Sequence, residues 1–286
     1  MKAPRFDYRA AQSLDEALGI LADPPGDVRI VAGGQSVVAA LNLRLSAPDL
    51  LLDIGGLAEL RGICEAAGAL QIGALTTHAD IAASPLVRAR LPLLSRAAQF
   101  IAHPAIRNRG TIGGSVALAD PAAEWPACLL ALDAVLVLRR GAGERRVPAV
   151  DFFRDVYETA LEPDEILVAV DIPLPPAGGF MLFDEFARRH GDFAIAGLAL
   201  CGRIEAGRFA ALRFGYLGVG RTPAGVPDTA AALLGLTPEE AAGRVAGLLS
   251  AELEPGGDHH ATSAYRLHLA GLLARRLLLA AGAGKE

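Results

Sequence analysis

Val31-Ala-Gly-Gly-Gln-Ser36 and, much later in the chain, Arg109-Gly-Thr-Ile-Gly-Gly-Ser115 each place a Gly-Gly pair and a serine beside a predicted helix or strand. Glycine tolerates positive φ and lets backbone N–H groups approach a ligand closely. Successive N–H groups in such a turn form a concave site for an anion. The Gln, Ser and Thr side chains of both stretches can add hydrogen bonds to phosphate oxygens. Together the two loops predict a diphosphate-binding site built from main-chain amides.

Either loop alone is weak evidence, because a single Gly-Gly pair most often marks an ordinary turn. No Gly-Lys-Ser/Thr sequence of a Walker A motif follows either pair, and neither has the G-x-G-x-x-G spacing of a Rossmann fold. Arg107 and Arg109 can offset a diphosphate charge, or they can cap a helix or face a partner. His78 and His103 have no partner at metal-ligand spacing, so a structural or solvated role is favoured for both. The sequence predicts no catalytic and no metal-binding residue.

Outward from the loops, the N-terminal half alternates short helices and strands. Ser13-Leu-Asp-Glu16 predicts a capping box before a helix. Strands are predicted at 28–32, 50–54, 69–75, 134–138 and 165–172, and helices from Ser84 to about Ala98, with Pro92 an interruption, and from Asp120 onward. Pro and Gly residues at 173–179 mark the best boundary. Beyond it, two long strands (193–204 and 209–219) joined by a turn at Gly207 precede helices at 238–253 and 263–279, which indicates an α+β unit.

Composition excludes several classes of protein. The 286 residues are 52% hydrophobic with a net charge of −5, so the chain is neither disordered nor an evident nucleic-acid binder. Cys64, Cys128 and Cys201 are far apart, which argues against disulfides and against an iron–sulfur cluster held by this chain alone. We expect neither a signal peptide nor a membrane span, and hence a cytoplasmic protein.

The whole chain resembles the FAD-binding medium subunit (subunit M) of the molybdenum hydroxylases, the group that includes the flavoprotein of aerobic carbon monoxide dehydrogenase and the flavin domain of xanthine dehydrogenase. The residues that carry the resemblance are Phe6-Asp-Tyr8, Ala32-Gly-Gly-Gln-Ser36, Leu41-Asn-Leu-Arg-Leu45, Ile72-Gly-Ala-Leu-Thr76, His78, His103-Pro-Ala-Ile-Arg-Asn-Arg-Gly-Thr-Ile-Gly-Gly-Ser115, Ala119-Asp-Pro-Ala-Ala-Glu124, Glu165-Ile-Leu167 and Phe186-Ala-Arg-Arg-His-Gly-Asp-Phe193.

The resemblance implies an α+β architecture with two domains. Residues 1–175 would form a two-subdomain FAD-binding domain of the PCMH type, similar to that of vanillyl-alcohol oxidase. Residues 176–286 would form a smaller domain like the C-terminal domain of carbon monoxide dehydrogenase flavoprotein, with an antiparallel sheet and helices. The cofactor-binding residues that the resemblance implies are Ala32, Gly33, Gly34, Gln35, Ser36, Thr111, Ile112, Gly113, Gly114, Ser115, Glu124 and Leu161.

The implied function is that of an oxidoreductase subunit for electron transfer. FAD would accept electrons from two [2Fe–2S] clusters of a small subunit, which in turn receives them from a large molybdenum-cofactor subunit. The acceptor beyond FAD can be a quinone, NAD⁺ or oxygen, and the assembly would be a dimer of heterotrimers. A stand-alone FAD-dependent oxidoreductase is the alternative, and a non-catalytic binding module is a third possibility. We expect bulkier residues at Gly33 and Gly113 to lower the FAD content without disturbing the fold.

Overall fold

The structure, a computed structural model, describes residues 2–284. Its strands are β1 Asp7–Ala10, β2 Val28–Val31, β3 Leu50–Asp53, β4 Ile63–Ala66, β5 Ala69–Gly73, β6 Val135–Arg140, β7 Gly143–Pro148, β8 Phe153–Asp155, β9 Glu158–Thr159, β10 Ile166–Pro173, β11 Gly179–Phe186, β12 Ala196–Glu205 and β13 Arg208–Leu217. Its helices are α1 Leu14–Ala22, α2 Val37–Asn42, α3 His78–Ala83, α4 Pro85–Arg90, α5 Pro92–Ala97, α6 Pro104–Arg107, α7 Ile112–Leu118, α8 Glu124–Ala131, α9 Ala149–Phe152, α10 Pro227–Leu233, α11 Pro238–Leu249 and α12 Ser263–Gly282.

A small parallel sheet, in the order β1-β3-β2, opens the chain. Helix α1 covers it with Leu14, Ala17, Leu18 and Leu21, the apolar positions that helical periodicity predicts. The predicted capping box is wrong in one of its two hydrogen bonds. Ser13 Oγ accepts a hydrogen bond from the Glu16 backbone N–H at 3.1 Å, but the Glu16 carboxylate accepts from the backbone N–H of Gln12 and from Arg9 instead.

A five-stranded antiparallel sheet, β4-β5-β10-β6-β7, forms the second layer. Its central strand β10 is almost wholly buried and reads as a continuous apolar run, Ile166 to Val170. Helices α3, α4, α5, α7 and α8 share one apolar core with this sheet, and α5 and α8 also contact the C-terminal strands. These two sheets and their helices make up the two-part N-terminal architecture.

Two helices differ from the predicted boundaries for local reasons. Pro92 divides the predicted helix into α4 and α5, because proline lacks the N–H that would continue the helix and is well tolerated at the first position of a new one. Helix α8 begins at Glu124 rather than at Asp120, since the Asp120 carboxylate accepts from the Ala122 backbone N–H and closes a turn before the helix.

The C-terminal part is an antiparallel sheet, β11-β12-β13, with a short turn at Gly207 and three helices on one face. Because successive side chains of a strand point to opposite faces of the sheet, Leu198 and Leu200 both lie on the helical face, where α12 packs. The opposite face carries Phe183, Ala199 and Leu217 into the N-terminal core. The α+β architecture predicted from the sequence is thereby confirmed. Within the described residues, no helix is long and apolar enough to cross a membrane.

Candidate functional site: a cavity between two glycine loops

The two glycine loops meet in space and border one cavity of about 700 Å³. Their contact is backbone to backbone: a Cβ on Gly33 would overlap the carbonyl oxygen of Arg109. Gly114 also lies beside the first loop, since a Cβ there would stand 3.6 Å from the Ala32 Cβ, an ordinary van der Waals contact. Glycine at position 33 is therefore required by the approach of one loop to the other. The volume lies in the range usual for small-molecule and cofactor sites.

Most of the predicted site residues border this cavity. Those among its lining are Ala32, Gly33, Gly34, Gln35, Ser36, Thr111, Gly113, Gly114, Ser115, Glu124 and Leu161. Ile112 is the exception, since its side chain is fully buried in the N-terminal core and is absent from the lining. Thr111 caps helix α7 by accepting a hydrogen bond from the Gly114 backbone N–H at 3.1 Å.

The first loop leaves its amides available to a ligand. None of the backbone N–H groups of residues 33–37 donates a hydrogen bond to another residue of the described chain. Gly34 has φ +72°, a conformation that favours glycine and turns the chain sharply before helix α2. Unpaired amides are costly unless water or a ligand accepts from them. A run of five such groups on a cavity wall is suited to the oxygens of a diphosphate.

The second loop does not have this property, which corrects the expectation that both loops offer main-chain amides. The backbone N–H of Ile112 donates to Thr76 O at 3.1 Å, and that of Gly113 to Ala74 O at 2.8 Å. The amides of Gly114 and Ser115 donate to Thr111. The hydroxyl groups of this loop can still reach a ligand, but its amides hold helix α7 against strand β5.

The buried residue His78 supports the second loop through hydrogen bonds to protein groups. Its Nδ1 accepts a hydrogen bond from Trp125 Nε1 at 2.8 Å, so that the ring proton is on Nε2. Burial, followed by the charge of Arg107, lowers the pKa of His78 to about 4, which keeps the ring neutral. Its backbone N–H donates to Gly110 O at 3.0 Å. The structural role that the sequence favours for His78 agrees with these contacts.

The charges of the cavity wall are unusual for a site that suits a diphosphate. Arg29 is the single Lys or Arg in the lining, whereas six carboxylic acids belong to it: Asp120, Glu124, Glu158, Glu162, Glu165 and Asp192. Arg107 donates to the carbonyl oxygens of Ile101 and Ala102, so its guanidinium group holds the backbone that precedes helix α6. Arg109 lines a separate, smaller depression. Negative charge of a ligand in the cavity must therefore be met chiefly by amides. Burial raises the pKa of the Glu124 carboxyl to about 7, so this carboxyl is partly protonated near neutral pH.

Among the lining residues that the sequence analysis did not predict, three are notable. Arg29 lies on strand β2 directly before the first loop, where a charged residue inside an apolar strand is a usable signal. Tyr157 and Phe193 stand at the mouth and are 59% and 73% exposed. Phe193 comes from the C-terminal half, and no local pattern predicts that it borders a site made by the N-terminal half.

The cavity wall combines the amides of residues 33–37 with apolar side chains such as Leu161 and Ile101. This combination fits a ligand that has both a diphosphate and a flat ring. Among residues 2–284, no group of three or more His, Cys, Asp or Glu side chains is placed to hold a metal ion.

Comparison with known proteins accounts for nearly the whole chain. The family model for the FAD binding domain in molybdopterin dehydrogenase matches residues 4–175, and that for the CO dehydrogenase flavoprotein C-terminal domain matches residues 181–281. The carbon monoxide dehydrogenase medium chain of Hydrogenophaga pseudoflava is 37% identical over 99% of both chains. The nicotine 6-hydroxylase medium subunit of Paenarthrobacter nicotinovorans is 38% identical, again over 99% of both.

Solved structures agree with these matches. Carbon monoxide dehydrogenase from Hydrogenophaga pseudoflava, in a form that lacks the Mo-pyranopterin moiety of the molybdenum cofactor, contains a chain with a TM-score of 0.96 and 39% identity over 99% of both chains. Quinoline 2-oxidoreductase from Pseudomonas putida 86 contains one with a TM-score of 0.94 and 40% identity, covering 100% of this chain and 99% of the other.

Proposed function

This chain belongs to the FAD-binding medium subunits of the molybdenum hydroxylase family, and we propose that within such a complex it passes electrons from [2Fe–2S] clusters through FAD to an external acceptor. FAD supplies the redox chemistry when bound, because a flavin can take up electrons one at a time and release them as a pair. The protein's part is to bind the cofactor, to orient it and to set its surroundings.

The observation that carries the proposed site is the row of unpartnered amides at residues 33–37. We propose that these N–H groups donate to the diphosphate of FAD, with the hydroxyls of Ser36, Thr111 and Ser115 as further donors. Arg29 would offset part of the charge. Glu124 and Leu161 border the same cavity and would contact other parts of the cofactor. The residues present therefore fit a dinucleotide with a diphosphate.

The partners follow from what this chain lacks and from what its relatives are called. Cys64 is exposed, Cys128 is buried on α8 and Cys201 is half-buried on β12, and three thiols on separate elements are too few for a cluster. Several relatives are named as medium chains or as subunits of a complex. We propose that a small subunit holds the [2Fe–2S] clusters, that a large subunit holds the molybdenum cofactor, and that the complex is a dimer of heterotrimers.

Ser36→Asp tests the diphosphate site without disturbing the packing. Ser36 is exposed, and its side chain makes no capping hydrogen bond to helix α2, so the free energy of unfolding should change by less than about 0.5 kcal/mol. A carboxylate beside the diphosphate should cost about 1 to 4 kcal/mol of binding free energy by repulsion, a loss of FAD affinity of roughly fivefold or more. Isothermal titration of the cofactor-free chain with FAD measures it.

Thr262→Asp is the matched control, because it adds the same charge at the N-cap of α12, away from the cavity, and Asp caps as well as Thr. Unchanged affinity in Ser36→Asp would contradict the proposed site. Gly33 and Gly113 are unsuitable for this purpose: a Cβ at either position would overlap backbone atoms, of Arg109 or of Ala74, and would disturb the fold. The expectation that the fold survives bulkier residues there is therefore wrong.

Electron transfer is tested with the assembled complex. Purification of the chain together with the proteins that bind it should yield two further subunits, and the complex should contain molybdenum and iron. Substrate oxidation by that complex should bleach the flavin absorbance, and the isolated chain should not oxidise the substrate. Turnover of an organic substrate by this chain alone would favour a stand-alone FAD oxidoreductase instead.

A further inference from the structure

Tyr157 lies in a turn at the edge of the cofactor cavity, in a backbone conformation that favours glycine. Strands β8 and β9 form a hairpin in which Asp155 pairs with Glu158, so Val156-Tyr157 is the turn between them. Tyr157 has φ +58°, and a positive φ at the second residue of such a turn is usually met by glycine or asparagine. Strain of this kind is concentrated at ligand sites, where surrounding contacts impose it. The Tyr157 side chain is therefore a candidate for a binding role.

The Tyr157 side chain has its polar end bonded and its ring free. The hydroxyl group donates a hydrogen bond to Asp120 Oδ2 at 3.2 Å, and both residues belong to the cavity lining. The backbone N–H of Tyr157 donates to Ala119 O at 3.4 Å. The residue is nevertheless 59% exposed, so much of the flat face of the ring is uncovered. A ring held in this way is suited to pack against a flat ring of a ligand.

Arg221, from the C-terminal half of the chain, holds the turn that carries Tyr157. Its guanidinium group forms a bidentate ion pair with Asp155, with Nε 2.7 Å from Oδ1 and Nη2 2.9 Å from Oδ2. Asp155 Oδ1 also accepts a hydrogen bond from the Val156 backbone N–H at 2.7 Å. Bidentate pairs of arginine and carboxylate fix geometry more strictly than single contacts. Arg221 therefore restrains the backbone from which the Tyr157 ring projects.

The loop that carries Arg221 is itself fixed to the rest of the molecule. The backbone N–H of Gly218 donates to Pro121 O at 2.8 Å, and Gly218 O accepts from Arg266 Nη1 at 2.7 Å. One segment of the C-terminal half thus contacts both supports of the aromatic ring. It contacts the turn through Arg221, and the segment next to Asp120 through Gly218.

We propose that Tyr157 is a further cofactor-binding residue whose ring packs against a flat ring system of FAD, and that Arg221 is a positioning residue that holds this ring through Asp155. This inference rests on the proposed FAD site for the identity of the ligand. It makes retention of the cofactor depend on an arginine of the C-terminal half that is not part of the cavity lining.

Tyr157→Gly separates binding from folding, because glycine adopts the positive φ without strain while the ring is removed. The urea unfolding midpoint of the cofactor-free chain should not fall. FAD affinity, measured by isothermal titration, should fall about three- to tenfold, the range expected for one aromatic contact. Tyr157→Phe keeps the ring and should retain most of the affinity.

Ala206→Gly is the matched control for Tyr157→Gly. Ala206 is another exposed residue with positive φ (48°), in the turn between β12 and β13, and it does not line the cavity. This variant should leave the FAD affinity unchanged. Unchanged affinity in Tyr157→Gly, or a loss in Tyr157→Phe as large as that in Tyr157→Gly, would overturn the binding role of the ring.

Arg221→Gln tests the positioning role by its dependence on Tyr157. In the unsubstituted chain it should speed FAD dissociation, followed by stopped-flow fluorescence, about two- to fivefold, as expected for loss of an exposed ion pair. Arg221→Lys retains the charge and should recover part of this loss. In the Tyr157→Gly background, Arg221→Gln should have no further effect, since the ring on which it acts is absent.

Arg208→Gln is the control, because it removes another exposed ion pair of the C-terminal half, with Glu240, and should leave FAD dissociation unchanged. An equal effect of Arg221→Gln in both backgrounds would show a general structural role and would overturn the positioning role. If FAD binds and these variants of Tyr157 and Arg221 do not change its binding, only the present inference fails. If the unsubstituted chain binds no FAD, the proposed function fails with it.

Discussion

At the scale of single residues, the chemistry of this protein depends on which polar groups have partners. The amides of residues 33–37 have none within the described chain and face a cavity, whereas those of Ile112 and Gly113 donate to Thr76 O and Ala74 O, directly after strand β5. Two loops that share a Gly-Gly pair and a serine therefore have different roles. The first is suited to receive a ligand, and the second fixes a helix at the cavity wall.

His78 provides a pH-dependent prediction at this scale. Its folded pKa of about 4 lies below the unfolded value near 6.5, so the unfolded chain binds the proton first as the pH falls. The stabilisation is complete above about pH 6.5 and is lost toward pH 4. Urea unfolding from pH 7 to 4.5 should show that the difference in unfolding free energy between the unsubstituted chain and His78→Asn shrinks, by at most about 1.4 kcal/mol per pH unit.

Asparagine is the informative substitution there, because its Oδ1 can accept from Trp125 Nε1 while the side chain cannot titrate. His259→Asn, in an exposed loop, serves as the control and should leave the pH dependence unchanged. A constant difference between the unsubstituted chain and His78→Asn across this pH range would mean that His78 is not held neutral.

At the scale of elements, the contact of α8 with the C-terminal sheet organises the site. Helix α8 begins with the cavity residue Glu124, carries Trp125 beneath the second loop and lies with Ala127 against Gly215 of β13. The positions of Glu124 and Trp125 are thus set by a strand far away in the sequence. Any change that moves α8 away from β13 should disturb both the hydrogen bond from Trp125 to His78 and the cavity wall at Glu124.

Gly215→Ala should produce that change. A Cβ at position 215 would overlap backbone atoms of Ala127, so the helix must move, at a cost of about 1 to 3 kcal/mol or more. Urea unfolding measures this cost, and FAD titration of the folded fraction should show weaker binding.

Gly247→Ala is the control for that variant. Gly247 lies in α11 with open space around it, and alanine there should stabilise the chain by roughly 0.5 to 1 kcal/mol. A Gly215→Ala variant as stable as the unsubstituted chain would show that α8 does not depend on this close approach.

At the scale of the whole molecule, the apolar core does not stop at the predicted domain boundary. Phe183, Ala199 and Leu217 follow that boundary in the sequence but pack into the core of the N-terminal half. The division into residues 1–175 and 176–286 stays a prediction. The shared core indicates that the two parts unfold together.

Leu273→Ala tests this coupling. Leu273 is fully buried in the second core, among residues of the C-terminal half, and its truncation should cost about 2 to 5 kcal/mol. Trp125 is the single tryptophan and lies in the N-terminal half, so its fluorescence reports unfolding there. The tryptophan midpoint in urea should fall with this variant. A midpoint that stays in place would show two independently folding domains.

The sequence by itself determined the family and part of the elements; strand β11, for example, was not predicted. Periodicity placed α1 and the long strands β12 and β13, and the ordered motifs from Phe6 to Phe193 identified the FAD-binding medium subunits. Local rules also located the proline break at Pro92. They succeeded because propensity, capping and turn chemistry act over a few neighbouring residues.

Only the tertiary structure decided which of these residues act together. Whether an amide is free depends on a distant acceptor, such as Ala74 O for Gly113, and no local pattern contains that acceptor. Arg29 and Phe193 border the same cavity because elements far apart in the chain pack together. Hydrogen-bond pairing and burial are properties of spatial neighbours, which a linear sequence specifies only through the completed fold.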